Sequence, residues 1–248
     1  MALAHSVVVI AVAAIVHAVP QYDNLSLGVP GSADQIVDRR GYALGFSRRH
    51  KQPLWVAYKL TAGEVTNNAV GRAESFEFDP AIVGGSATLE DYRRSGFDRG
   101  HLAPAADMKW DPVAMRESFY LSNVSPQVNA FNSGIWKRLE EWCRGLAVRR
   151  GSLFIVTGPI FPEDEEHVTI GKSKVTVPHF FYKVVYDETP PGRMIGFIVP
   201  NKAGKNIYKF AVSVDDVEEA TGLDFFSELP NDVESRLESE CNPNKWNR

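Results

Sequence analysis

Gly96-Phe-Asp-Arg-Gly-His-Leu-Ala-Pro104 brings an aspartate, an arginine and a histidine together within one short segment, Asp98 to His101. If the segment is extended, the two-residue period of a strand puts Phe97, Arg99 and His101 on one face and Asp98 and Leu102 on the other. Gly100, with no side chain, lets a ligand backbone approach closely. A neutral imidazole beside a fixed guanidinium suits proton abstraction next to an anion, because His titrates near neutrality while Arg stays charged. Phosphate is the natural anion. The same residues also read as plain structure, with Asp98 and Arg99 in ion pairs and His101 as a packed strand histidine, since short motifs recur by chance.

Downstream, Phe119-Tyr-Leu-Ser-Asn-Val-Ser-Pro-Gln127 reads as a strand ending in a turn, and Asn132-Ser-Gly-Ile-Trp-Lys-Arg-Leu-Glu140 opens a helix. Over Ser133 to Arg149 the apolar residues Ile135, Trp136, Leu139, Trp142, Cys143 and Leu146 recur at three- and four-residue spacings, which makes one buried stripe. Asn132 falls where a helix N-cap is expected. Its side-chain carbonyl is alternatively a ligand for a hard divalent cation, since Mg²⁺ takes oxygen ligands and keeps several waters. Glu140 lies roughly 12 Å further along the axis. Helical side chains lean back toward the N-terminus, so a water-mediated contact to a cation at Asn132 is within reach. An ion pair with Arg144 at i,i+4 is the structural alternative.

Around this centre, Trp55 to Leu60 alternates apolar and polar residues as a half-buried strand does, and Leu153–Phe161, Val175–Tyr186 and Arg193–Pro200 are rich in β-branched and aromatic residues. Ser213-Val-Asp-Asp216 resembles a capping box that starts a second helix ending near Gly222. Strands and helices without strict alternation predict an α+β fold. The 248 residues contain no internal repeat, and a 44% hydrophobic, 23% charged composition with 2 Cys excludes disordered, collagenous and disulfide-scaffold classes. A single domain over residues 23–230, followed by a C-terminal tail at 231–248, is the expected organisation.

Residues 1–18 read as a signal-peptide-like leader. Ser6 to Val19 is an unbroken apolar stretch with a plausible cleavage point after Ala18, too short for a typical membrane span. A secreted or periplasmic destination is favoured, although no Lys or Arg precedes the stretch as a signal-peptide n-region would have, so a mitochondrial address or an uncleaved anchor stays open. After leader removal no stable membrane association is expected. In an oxidising compartment Cys143 and Cys241 are able to pair, although Cys143 equally fits a small buried hydrophobe.

Taken together, Asp98-Arg99-Gly100-His101, Tyr120-Leu-Ser-Asn-Val-Ser-Pro-Gln127, and Asn132 with Trp136, Leu139 and Glu140 resemble the DNA/RNA non-specific endonucleases that carry a ββα-metal finger. Arg94-Ser-Gly-Phe-Asp98, Thr157-Gly-Pro-Ile-Phe161 and Val177-Pro-His-Phe-Phe181 are similar to the endonuclease G branch, and the resemblance runs from about residue 25 to 223. It implies a central antiparallel sheet flanked by helices. It also implies metal-dependent, sequence-non-specific hydrolysis of phosphodiester bonds in DNA and RNA, leaving 5′-phosphate and 3′-hydroxyl ends. His101 is then the general base and Asn132 the single direct ligand of Mg²⁺, with Mn²⁺ as a substitute. Glu140 acts on the metal through water, Arg99 lies near metal and phosphate, and Arg72, matched through its spacing to Phe76 and Asp79, neutralises phosphate. A homodimer is the implied assembly, and some members of the branch are mitochondrial. The competing readings are a catalytically inactive nucleic-acid-binding protein on the same scaffold and a phosphatase for small esters, which lacks a second cluster of metal ligands.

Other polar residues in these motifs carry milder expectations. Asp98 orients or pairs with a neighbour, Asp107 and Asn123 hold loop geometry, His179 belongs to the core, and Met108 and Trp110 are packing residues. The basic run Arg39 to Lys51 is a candidate groove lining or a solvated surface. The net charge of -4 is uneven. Residues 215–248 hold ten acidic and three basic side chains, which is -7, and residues 1–214 hold 24 basic against 21 acidic, which is +3.

Overall fold

The computed structural model of the chain describes residues 22–162 and 166–246, so the expected leader lies outside the described residues. Strands β1 (Gln35–Asp38), β2 (Ala43–Ser47) and β3 (Gln52–Thr61) lead into short helices α1 (Ala62–Thr66) and α2 (Leu89–Tyr92). Then come β4 (Asp98–His101), α3 (Pro112–Ser118), β5 (Val124–Gln127) and α4 (Lys137–Arg150). The remainder is β6 (Ser152–Ile160), β7 (Thr169–Ile170), β8 (Val175–Thr176), β9 (Phe180–Asp187), β10 (Arg193–Pro200), β11 (Ala211–Val212), α5 (Val214–Thr221) and α6 (Asn231–Glu238). Among the described residues the main sheet has seven strands, ordered β1-β2-β3-β6-β9-β10-β11 and antiparallel throughout. The expected α+β architecture with a central antiparallel sheet is what forms.

Both faces of the sheet are covered, which corrects the half-buried reading of β3. Val56, Tyr58 and Leu60 point into a core shared with Leu139, Cys143 and Leu146 of α4, while Trp55 and Ala57 point into a second core with Val214, Val217 and Leu237 of α5 and α6. Alternation survives as a choice between two apolar environments rather than between core and water. The stretch expected as one strand over Val175–Tyr186 splits into β8 and β9 around Pro178, which has no N–H to give to a ladder. His179 therefore sits in the break and is exposed, not part of the core.

Phe119–Gln127 is also shorter as a strand than expected. Its first half is a 3₁₀ turn, Leu121–Asn123, pinned by the buried Asn123 amide, which accepts from Ala103 N at 2.9 Å and donates to the Ala103 and Ser118 carbonyls at 2.9 Å each. Helix α5 starts and stops as the sequence predicts. Ser213 Oγ accepts from Asp216 N at 3.1 Å, Asp216 Oδ2 accepts from Ser213 N at 2.9 Å, and Gly222 closes the helix at φ 67°. The segment set apart as a tail is packed rather than loose, because Trp246 is 1% exposed and stacks 5.6 Å from Trp142. Cys143 is buried and Cys241 exposed, and both are free thiols, so the proposed pairing is absent.

Candidate active site

Outside the main sheet, β4 and β5 form a separate antiparallel ribbon that registers His101 with Val124 and Asp98 with Gln127, and α4 follows it to complete a ββα unit. Arg99 and His101 share a face of this ribbon, as the strand period predicts, and both line a cleft of about 730 Å³. The cleft also takes in Arg72, Asn132 and Glu140, so all five expected residues converge on one space. Gly100 has a different role from the one expected. A Cβ there would overlap the Gln127 side chain, so the missing side chain serves the contact between β4 and β5 and not the approach of a ligand.

His101 is 9% exposed, and its ring lies 4.9 Å from both Phe76 and Phe119. On the outer sides of this aromatic pair, the Arg99 guanidinium sits 4.9 Å from the Phe76 ring and that of Arg72 5.0 Å from the Phe119 ring. Burial first, and the nearby Arg72 charge second, push the His101 pKa down to about 3. The imidazole is therefore neutral at physiological pH, and its Nε2 is buried without a hydrogen-bond partner among the described residues. A neutral imidazole in the lining of a cleft is in the protonation state that a general base needs.

Asn132 is not an N-cap. It lies within a kinked turn, Phe131–Trp136, that precedes α4 and is broken by the non-helical Gly134, and there Val128 O accepts from both Phe131 N and Asn132 N at 2.9 Å. Asp98 also reaches the cleft, contrary to its expected opposite face, and its Oδ2 accepts from Asn132 Nδ2 and Asn129 Nδ2, each at 2.9 Å. With Nδ2 held by a carboxylate, the amide is oriented and Oδ1 remains as the acceptor that Asn132 offers to the cleft. An oxygen held this way matches the ligand chemistry of Mg²⁺, so the residues present fit that ion.

Glu140 is half-buried and makes no ion pair with Arg144. Arg144 instead bonds Asp107 at 2.7 Å, and Tyr58 donates to the same carboxylate at 3.2 Å, so Asp107 is structural as expected. Burial raises the Glu140 pKa to about 7, against the opposing pull of Lys183, Arg144 and Arg72. The basic run does not line the cleft. Arg39 is buried against Asp79 and Glu117 and stacks 4.7 Å from the Tyr120 ring, Arg40 pairs with Asp111, and Arg48 and Arg49 are exposed elsewhere. The groove cations that sequence reasoning missed are Arg93, Lys137 and Arg144.

The model of the DNA/RNA non-specific endonuclease family matches residues 21–232. The chain belongs to this family. It is 39% identical over 235 residues to "Nuclease 1, mitochondrial" of Schizosaccharomyces pombe, covering 86% of this chain and 72% of that one. Against "Nuclease C1" of Cunninghamella echinulata the identity is 38%, with 83% and 88% covered, and against human "Endonuclease G, mitochondrial" it is 36%, with 82% and 72% covered. A solved structure of the EndoG/EndoGI complex superposes with a TM-score of 0.79 at 34% identity, covering 84% of this chain and 92% of that one. The chain is thus a nuclease of a metal-dependent family, a hydrolase that acts on nucleic acids.

Proposed function

We propose that the chain is a Mg²⁺-dependent endonuclease that cuts DNA and RNA without regard to sequence and leaves 5′-phosphate and 3′-hydroxyl ends, with Mn²⁺ able to replace Mg²⁺. The observation that carries this reading is the buried, neutral His101 imidazole in the lining of a cleft that Arg72, Arg99, Asn132 and Glu140 share.

His101 takes the proton from an attacking water. Phe76 and Phe119 hold the ring in place and, by burying it beside Arg72, keep it neutral, so it is ready to accept at neutral pH. Arg72 and Arg99 make no ion pair among the described residues, and each is free to neutralise a phosphate oxygen. Asn132 Oδ1 is the protein ligand offered to the metal, and Glu140 orients water in the same cleft. When bound, Mg²⁺ supplies cationic stabilisation to the charge that grows on the phosphorane and leaving oxygen. Contacts of this kind position the phosphate backbone and leave the bases unread, which supports weak sequence preference.

The mitochondrial designations of the fission-yeast and human relatives favour the mitochondrial address over secretion. Plasmid DNA and a structured RNA, each incubated with MgCl₂ and with EDTA, test the reading. Degradation of both that EDTA stops is expected. Binding of either without cleavage would establish the inactive binding protein instead.

A further inference from the structure

On the face of the sheet opposite α4, helices α5 and α6 bring Asp215, Glu218 and Glu238 together, with a ligand oxygen from each within 4.8 Å of the others. Asp215 and Glu218 are one turn apart on α5, and Glu238 is the last residue of α6. Glu238 is 6% exposed, and its Oε1 is buried with no hydrogen-bond partner among the described residues. Glu234, one turn earlier on α6, likewise has a buried, unpartnered Oε1. The charges acting most strongly on Glu238 are four further carboxylates, Glu218, Glu234, Asp215 and Asp224. A buried carboxylate among other acids, with no cation paired to it, is unfavourable unless something neutralises it.

We propose that Asp215, Glu218 and Glu238 form a Ca²⁺ site that ties α5 to α6, separate from the catalytic cleft. The ligand set is all oxygen, which selects a hard cation over zinc or copper. Ca–O bonds of about 2.3–2.6 Å allow ligand oxygens to stand as much as about 5 Å apart, so carboxylate oxygens within 4.8 Å of one another fit around Ca²⁺. Glu218 Oε1 already accepts from Phe225 N at 2.8 Å, which holds that side chain and leaves Oε2 for the ion. The alternative that competes is a proton: Glu238, pushed up to about 8 by burial and its acidic neighbours, neutralises itself.

Full-length Asn132→Ala protein, which lacks the cleft ligand, is stripped with EDTA, dialysed and melted in a CaCl₂ series, with calorimetric titration for stoichiometry. An increase in Tm of roughly 3–10 °C at about 10 mM CaCl₂, with one Ca²⁺ bound per chain, is expected. Glu238→Gln and Asp215→Asn in the same background each abolish that increase. Asp215 is exposed, so its variant folds even if Glu238→Gln does not. No Ca²⁺ response, or an equal response in either folded variant, overturns the site and leaves the shared proton as the explanation. Either result is independent of whether the cleft cuts nucleic acid.

Discussion

His101 gains its competence from being denied solvent. Replacing it with Ala removes the proton acceptor and leaves a small void beside the Phe76–Phe119 pair. Plasmid cleavage is expected to fall about 10²–10⁴-fold while circular dichroism shows a folded protein. Because burial and Arg72 both lower its pKa, the His101 ring resonance in an NMR titration stays unprotonated down to pH 5, and Arg72→Ala moves the midpoint upward. A His101 that titrates near its ordinary value in the parent protein would contradict this account. Glu140 works the other way. Its folded pKa, raised to about 7, exceeds the unfolded value, so the folded state binds the proton more tightly. In metal-free protein stability is therefore lost as pH rises from about 4.5 through 7. Glu140→Gln escapes that loss and is expected to be about 1–3 kcal/mol more stable than the parent at pH 8 in EDTA, with the advantage gone near pH 4.5. Chemical denaturation at the two pH values measures it. That the parent keeps a destabilising carboxylate there is what a site built for chemistry predicts.

The ββα unit depends on close backbone contact between its strands. Gly100→Ala drives a methyl group into Gln127, and the ribbon must open at the position between Arg99 and His101. A loss of about 1–3 kcal/mol is expected by urea unfolding, with cleavage reduced by more than the unfolded fraction accounts for because both cleft residues shift together. How legible the elements were in the sequence follows from where their signals lie. α5 was readable to the residue because its caps are local, Ser213 and Asp216 at one end and Gly222 at the other. α3 is marked just as plainly by the N-cap Asp111, which accepts from Val113 N and Ala114 N, with Pro112 behind it, although the sequence reading assigned no element there. The kinked turn at Asn132 had no such signal. Its geometry is set by Val128 and by Asp98 on another strand, and long-range partners leave no trace in local periodicity. The His101 site was named from its motif, but the Phe76–Phe119 clamp that tunes it comes from segments 25 and 18 residues away, so spacing alone could not supply it.

Across the whole molecule the net charge of -4 resolves into two sides of one sheet. Helices α5 and α6, which lie in the acidic C-terminal segment from about residue 215, pack on the face away from α4, and the cleft beside α4 is lined by Arg72, Arg93, Arg99, Lys137 and Arg144 against Glu90, Asp98 and Glu140. Two of these cations are already engaged. Arg144 bonds Asp107, and Arg93 bonds Glu90 at 3.0 Å. Arg72, Arg99 and Lys137 remain, the last only loosely tied to Glu141 at 3.8 Å. About three phosphates held this way predict a log–log slope of affinity on salt near -2.7, hence roughly a 40-fold loss in kcat/KM between 50 and 200 mM KCl at fixed MgCl₂. The acidic side is expected to contribute little to that slope, because the sheet lies between it and α4 and charges at this ionic strength are felt over roughly 8–10 Å. Lys137→Ala should reduce the slope by about one while lowering cleavage of all substrates alike. Charge reversal on the far helix, Glu219→Lys, should leave it unchanged. A slope that responds equally to both variants would mean the protein holds nucleic acid by its net charge and not by the cleft.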